Sequence, residues 1–125
     1  MLGGYDGKHA QNANAAYLPS RDAWSQRAPL PAWCYGMGVT SIADFIYVVG
    51  GIGVANSALP PLQYSLQQNQ WQIFQEPISK PWSYLGLVPL NTRLYSIGGR
   101  LRKLPIAQNL SYQANYTIYF PIGPQ

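Results

Sequence analysis

Phe45-Ile46-Tyr47-Val48-Val49-Gly50-Gly51 is an apolar, aromatic run that ends in a pair of glycines. Short apolar runs bounded by Gly, Pro, Asn and Ser read as β-strands. Twelve residues separate Gly51 from Tyr64, and six more separate Tyr64 from Trp71. The same spacing occurs twice more. Gly3-Gly4 is followed by Tyr17 and Trp24, and Gly98-Gly99 by Tyr112 and Tyr119. The pattern GG-x12-Y-x6-[WY] therefore recurs three times, at a period of 47 and then 48 residues. Self-similarity at a fixed period of this length marks one small structural unit copied along the chain.

Composition agrees with an all-β chain. Of 125 residues, 10% are charged and 47% hydrophobic, and there are ten Tyr and four Trp. No stretch sustains the i, i+3, i+4 apolar stripe of an amphipathic helix. Glycine lets a neighbouring backbone or ring come close, and aromatics bury a large apolar area with few rotatable bonds. Bare glycine strands facing a layer of Tyr and Trp are the sheet-on-sheet contact this pattern predicts.

The motif resembles the kelch repeat, whose period is about 50 residues. The resemblance covers nearly the whole chain. It implies an all-β, kelch-type β-propeller segment of four-stranded antiparallel blades in an incomplete ring. In that family the diglycine ends the second strand, and a Tyr on the third strand and a Trp on the fourth pack between blades. The structural positions are Gly3, Gly4, Tyr17, Trp24, Tyr47, Gly50, Gly51, Tyr64, Trp71, Tyr95, Gly98, Gly99, Tyr112 and Tyr119. The third unit departs from the pattern in having Tyr119 where Trp is usual. Residues 1–31 are expected to supply the outer strands of a partial first blade, 32–79 a complete blade, and 80–125 a terminal one.

Within that frame, residues 1–15 read as a long loop after the first glycine pair. The second blade is expected to run as strands 34–42, 45–51, 62–67 and 70–75. Turns are placed at Ala43-Asp44 and Gln68-Asn69. The third blade repeats it as 83–90, 93–99, 108–114 and 116–121, with Asn91-Thr92 at the turn and 100–107 as a loop. Pro89 removes a ladder donor inside the first of these strands. Trp33-Cys34-Tyr35 and Trp82-Ser83-Tyr84 look alike but are offset by 49 residues, one more than the glycine pairs. A one-residue shift flips the faces of a strand. Propellers close with roughly four to eight blades. A chain of about two and a half is expected to be a segment of a longer propeller, to close a ring with copies of itself, or to form a short open array; the first is favoured.

In a four-stranded up-and-down blade, the loop after strand two and the crossing after strand four emerge at the same end. That face carries Lys80, Arg100, Arg102 and Lys103, half of the eight basic residues, with Trp33 and Trp82 at the starts of inner strands. Lys80, Trp82, Arg100, Arg102 and Lys103 are the candidate ligand-binding residues. A basic rim with aromatics suits an acidic peptide or a glycan, although solvated loop charges and core tryptophans account for the same residues.

The leading functional expectation is a non-catalytic binding scaffold for protein or glycan ligands. The alternative is a piece of a kelch-like propeller enzyme, resembling galactose oxidase or a sialic-acid epimerase, with its catalytic residues outside this chain. His9 alone cannot supply the nitrogen ligands of a copper site, so no metal or cofactor is expected. Asp6, Asp22, Asp44 and Glu76 form no evident acid–base pair, and no phosphate loop follows the glycines. A net charge of +4 from eight basic residues does not by itself imply a nucleic-acid partner. No 18-residue apolar run indicates membrane insertion. Cys34 reads as a small packed residue. The Tyr, Asn and Gln content resembles that of secreted bacterial propellers.

Overall fold

A computed structural model describes residues 1–74, 81–107 and 109–114, with the side chain of residue 56 left aside. The first sheet holds β1 (Leu2–Tyr5), β2 (Ala10–Leu18) and β3 (Ala23–Gln26). The second holds β4 (Tyr35–Ile42), β5 (Phe45–Ile52), β6 (Leu62–Ser65) and β7 (Gln70–Ile73) in simple meander order. Then follow β8 (Trp82–Ser83), β9 (Gly86–Leu90), β10 (Arg93–Ile97), β11 (Arg100–Leu101), β12 (Leu104–Pro105) and β13 (Asn109–Gln113). Every pairing is antiparallel. Among the described residues the only helical pieces are two three-residue 3-10 turns. None is long and apolar enough to cross a membrane.

The apolar run at 45–49 forms β5, which has β4 on one edge and β6 on the other. It is buried on both faces. Val48 packs toward the first sheet with Leu30, Cys34 and Leu62. Tyr47 and Val49 point the other way, into clusters with Leu94 and with Trp82 and Leu85. A strand covered on both sides has no reason to alternate polar and apolar residues.

The third unit copies the second with one break. Arg100↔Ser83 and Leu101↔Trp82 continue the register of Ile97↔Gly86. Thus β8 and β9 are one inner strand, interrupted at Tyr84, whose φ is +55°. The expected strand 83–90 is split there, and the expected loop 100–107 contains the β11–β12 hairpin. Gly36, 48 residues earlier, has the same left-handed backbone, φ +68°. Ser83↔Arg100 is therefore the counterpart of Tyr35↔Ile52, and Trp82 is the counterpart of Cys34 rather than of Trp33. That settles the 49-residue offset: Trp33 lies outside the shared register. Ala43 and Asn91 head equivalent two-residue hairpins with φ of +52° and +56°. Pro89 sits on β9, an edge strand, where its missing donor is tolerated.

The first unit differs from expectation. Residues 1–15 are not a long loop, since Leu2–Tyr5 and Ala10–Leu18 pair as strands. A tight turn between them, with the Asp6 carboxylate accepting from the Lys8 and His9 backbone N–H groups at 2.8 and 2.7 Å, makes this possible. Those N–H groups, His9 first, hold the Asp6 carboxyl below its usual range. The turn is reinforced while the group is ionised and loosens as pH falls through that lowered value.

The three diglycines share one conformation, with φ of +54° and +113°, +73° and +102°, and +67° and +87°. Their close neighbours are not rings. A Cβ on Gly3 would lie 2.7 Å from both the Cys34 carbonyl oxygen and Met37 Cε. On Gly50 it would collide with the carbonyl of Trp82, the counterpart of Cys34, and sit 2.5 Å from Leu85, the counterpart of Met37. The rings pack elsewhere. Tyr64 and Trp71 stack across β6 and β7 at 4.9 Å, and Trp71 Nε1 donates to the Ala28 carbonyl at 2.9 Å. Tyr17 and Trp24 repeat the stack at 5.2 Å. Each Tyr hydroxyl donates to a side chain five residues on, Asp22 or Asn69, which holds a left-handed turn. The expected strand 116–121, Tyr119, Glu76 and the crossing 76–80 lie outside the described residues.

Gly50→Ala should cost about 2–4 kcal/mol, combining left-handed strain with a collision. Gly98→Ala, where the nearest described atom is 4.0 Å away, should cost about 1–2 kcal/mol from backbone strain alone. Urea unfolding of the two variants measures the difference, and equal costs would refute the close-approach account. Trp71→Ala should cost about 3–5 kcal/mol, whereas its equivalent Trp24, 62% exposed, should cost far less when replaced in this chain.

Candidate interaction face

The positions immediately after the diglycines are Tyr5, Ile52 and Arg100, equivalent in the three units. They leave the sheets at one end. Tyr5 stacks on Tyr35 with ring centroids 5.0 Å apart, and Tyr35 faces Ile52 across the β4–β5 ladder. Beside Tyr35, Gly36 leaves room for the next unit. The Tyr84 backbone N–H donates to the Gly36 carbonyl at 2.6 Å, and a Cβ on Gly36 would lie 3.3 Å from the Tyr84 ring. The Arg100 guanidinium carbon then stands 5.7 Å from the centroid of that ring, within cation–π range. Tyr5–Tyr35 and Tyr84–Arg100 are thus two side-chain pairs at one end of the sheets, joined through the backbone of Gly36.

Tyr84 is 57% exposed, and Tyr5 and Arg100 are exposed with it. Arg102 and Lys103 occupy the turn of the β11–β12 hairpin, also in solvent, with the Arg102 N–H bound to the Pro81 carbonyl at 3.2 Å. The structure puts Arg100, Arg102 and Lys103, expected on a loop, on one exposed hairpin. The sequence misplaces Trp82. That residue is 1% exposed and its indole N–H donates to the Gly98 carbonyl at 2.6 Å, so it is part of the core and not of a surface site. Lys80 lies outside the described residues. Trp33 is 49% exposed. The three tyrosines were not singled out by sequence. The available signal was the repeat itself, which puts Tyr5 in register with Arg100.

Two clefts flank the second sheet. One, about 650 Å³, is bordered by Tyr17, Trp24, Arg27, Val39, Ile46 and Tyr64. Arg27 spans it, donating to the Tyr64 hydroxyl at 3.1 Å and the Leu66 carbonyl at 2.9 Å. The other, about 350 Å³, is nearly apolar and lies beside Cys34, Val48, Gly50, Leu62 and Trp71. Among the described residues no three His, Cys, Asp or Glu side chains gather as a metal site. Cys34 is buried, and burial pushes its thiol up to about 11.

No family model matches the chain. It is 32% identical to Kelch-like protein 36 of Bos taurus over 102 residues, which is 78% of this chain and 16% of that protein. It is 28% identical to Kelch-like protein 35 of Mus musculus over 104 residues, 82% of this chain and 18% of the relative. It is 31% identical to Kelch repeat and BTB domain-containing protein 13 of Homo sapiens over 90 residues, 69% and 19% respectively. The chain belongs to the kelch-repeat family. Its all-β sheets are those of an incomplete kelch-type propeller, and it spans less than a fifth of the length of these relatives.

The Cys34 thiol should react with iodoacetamide at pH 8 far more slowly in the folded kelch chain than in urea. Its raised pKa keeps it protonated, and the thiolate is the nucleophile. Equal rates in both conditions would show that burial does not hold the Cys34 thiol protonated.

Proposed function

We infer that this kelch chain is a non-catalytic protein-interaction module that binds with the loop end of its sheets. The two pairs Tyr5–Tyr35 and Tyr84–Arg100 are the observation that carries the reading. Tyr and Arg are the residues enriched at interface anchors. Here Tyr5, Tyr84 and Arg100 are exposed and Tyr35 is half-buried; the Tyr5 and Tyr35 rings pack on each other, and Arg100 sits over the Tyr84 ring, all at or beside strand ends rather than on long loops. Arg100, Arg102 and Lys103 make the loop end positive. The ligand class that fits is an extended protein segment presenting an acidic side chain to Arg100 and apolar or planar groups to the tyrosines. The kelch names of the relatives agree with an interaction role. Repeat boundaries near 31/32 and 79/80 complete the reading, with one full unit between them.

Panning a random peptide display library on the folded chain at low salt should enrich sequences containing Asp or Glu. Binding of the enriched peptides should weaken roughly tenfold or more on Arg100→Ala and on Tyr84→Ala, and should fall as salt rises. Enriched peptides that bind both variants as tightly as the unaltered chain would overturn the assignment. A glycan array that gave Arg100-dependent hits while peptides gave none would move the ligand class from protein to carbohydrate.

A further inference from the structure

The apolar cleft beside Cys34 has a template in the next repeat. Cys34 and Trp82 are equivalent in register, as are Gly50 and Gly98, Leu62 and Leu110, Met37 and Leu85, and Leu2 and Val49. In the third unit the Trp82 indole packs with Val49, Leu85 and Leu110, and its N–H reaches the Gly98 carbonyl. In the second unit Leu2, Met37 and Leu62 surround a cysteine instead. A cleft of about 350 Å³ remains there, against Cys34, Gly50 and Leu62. That volume falls within the range of about 300–1,000 Å³ typical of ligand pockets. Clefts lined by apolar side chains bind aromatic rings when they are not filled by the protein itself.

We propose that this cleft is a binding site for an indole ring, the side chain of a tryptophan carried by a partner protein. Gly50, which lines the cleft, is the register counterpart of Gly98, whose carbonyl accepts the Trp82 N–H, and a carbonyl oxygen has two acceptor lone pairs. Trp71 and Leu59 wall the cleft, so the incoming ring meets an aromatic and an aliphatic surface. Ile73, 63% exposed, lies at its border and leaves a path from solvent. The site is separate from the two tyrosine-bearing pairs and does not depend on them.

N-acetyl-tryptophanamide, an indole on a peptide-like stem, tests this on the unaltered 125-residue chain. It should raise the thermal unfolding midpoint by about 5 °C at saturating concentrations, because a ligand that binds only the folded state stabilises it. N-acetyl-leucinamide at the same concentration should give no such rise. Cys34→Trp, which copies the next repeat, should abolish the response to N-acetyl-tryptophanamide; Cys34→Phe is the smaller plug if that variant does not fold. Arg100→Ala should leave the response unchanged, which keeps this test distinct from that of the peptide-binding face. No rise with the tryptophan compound, or an equal rise with the leucine compound, overturns the proposal. A rise with free indole but none with N-acetyl-tryptophanamide overturns the protein source of the ring.

Discussion

Two carbonyl oxygens set the spacing of the sheets. The Cys34 carbonyl approaches Gly3, and the Trp82 carbonyl approaches Gly50, so closely that neither glycine could carry a Cβ. Each contact joins the second strand of one unit to the first strand of the next. The Gly4 N–H donates to that same Cys34 oxygen at 3.0 Å, so the approach also satisfies a backbone donor. With sheets drawn together at this point, Val48, Cys34 and Leu30 on one side and Val49, Trp82 and Leu85 on the other become buried. The positive φ of the first glycine reserves the site for glycine a second time. At Gly3 and Gly50 packing and backbone conformation impose the same residue; at Gly98 the positive φ alone does.

The repeat made the fold legible in the sequence. Spacing alone located the diglycines, the Tyr–Trp stacks and the hairpin turns at Ala43 and Asn91, because each depends on local chemistry that is copied with the unit. What spacing could not give was the object facing each glycine. A bare strand and an abundance of rings suggest ring over glycine, whereas a carbonyl and an aliphatic side chain occupy that place. Nor could it separate Trp33 from Trp82. Both precede an aromatic dipeptide-like stretch, and only the ladder register shows that Cys34 takes the place of Trp82. The strand at residues 2–5 was missed because its partner residues Asn14 and Gln11 are polar and carry no strand signal of their own. The tyrosine pairs were visible only in part, since stacking between Tyr5 and Tyr35 joins residues of different units.

Exposure in this chain has two separate origins, and they point to different roles. Ile97 is 51% exposed, yet its counterpart Val49 is completely buried; Tyr95 is half-buried where Tyr47 is sealed. On the first sheet, exposed Tyr17 and Trp24 correspond to buried Tyr64 and half-buried Trp71. These residues have the chemistry of an inter-sheet contact because they are copies of residues that make one. Their exposure follows from that copied inter-sheet chemistry and says nothing about a ligand.

Tyr5, Tyr84 and Arg100 are different. Their counterparts in the second unit, Ile52 and Gly36, differ from them in chemistry: Ile52 is aliphatic, and Gly36 carries no side chain and receives the Tyr84 ring of the next unit. Side chains at the loop end vary from unit to unit, as Tyr, Ile and Arg do after the three diglycines, while the glycines beneath them do not. A scaffold whose spacing is fixed by backbone contacts can change these end residues without disturbing its core. Among exposed residues, then, the ones that break the repeat's chemistry are the better guides to recognition, and the ones that keep it belong to the architecture.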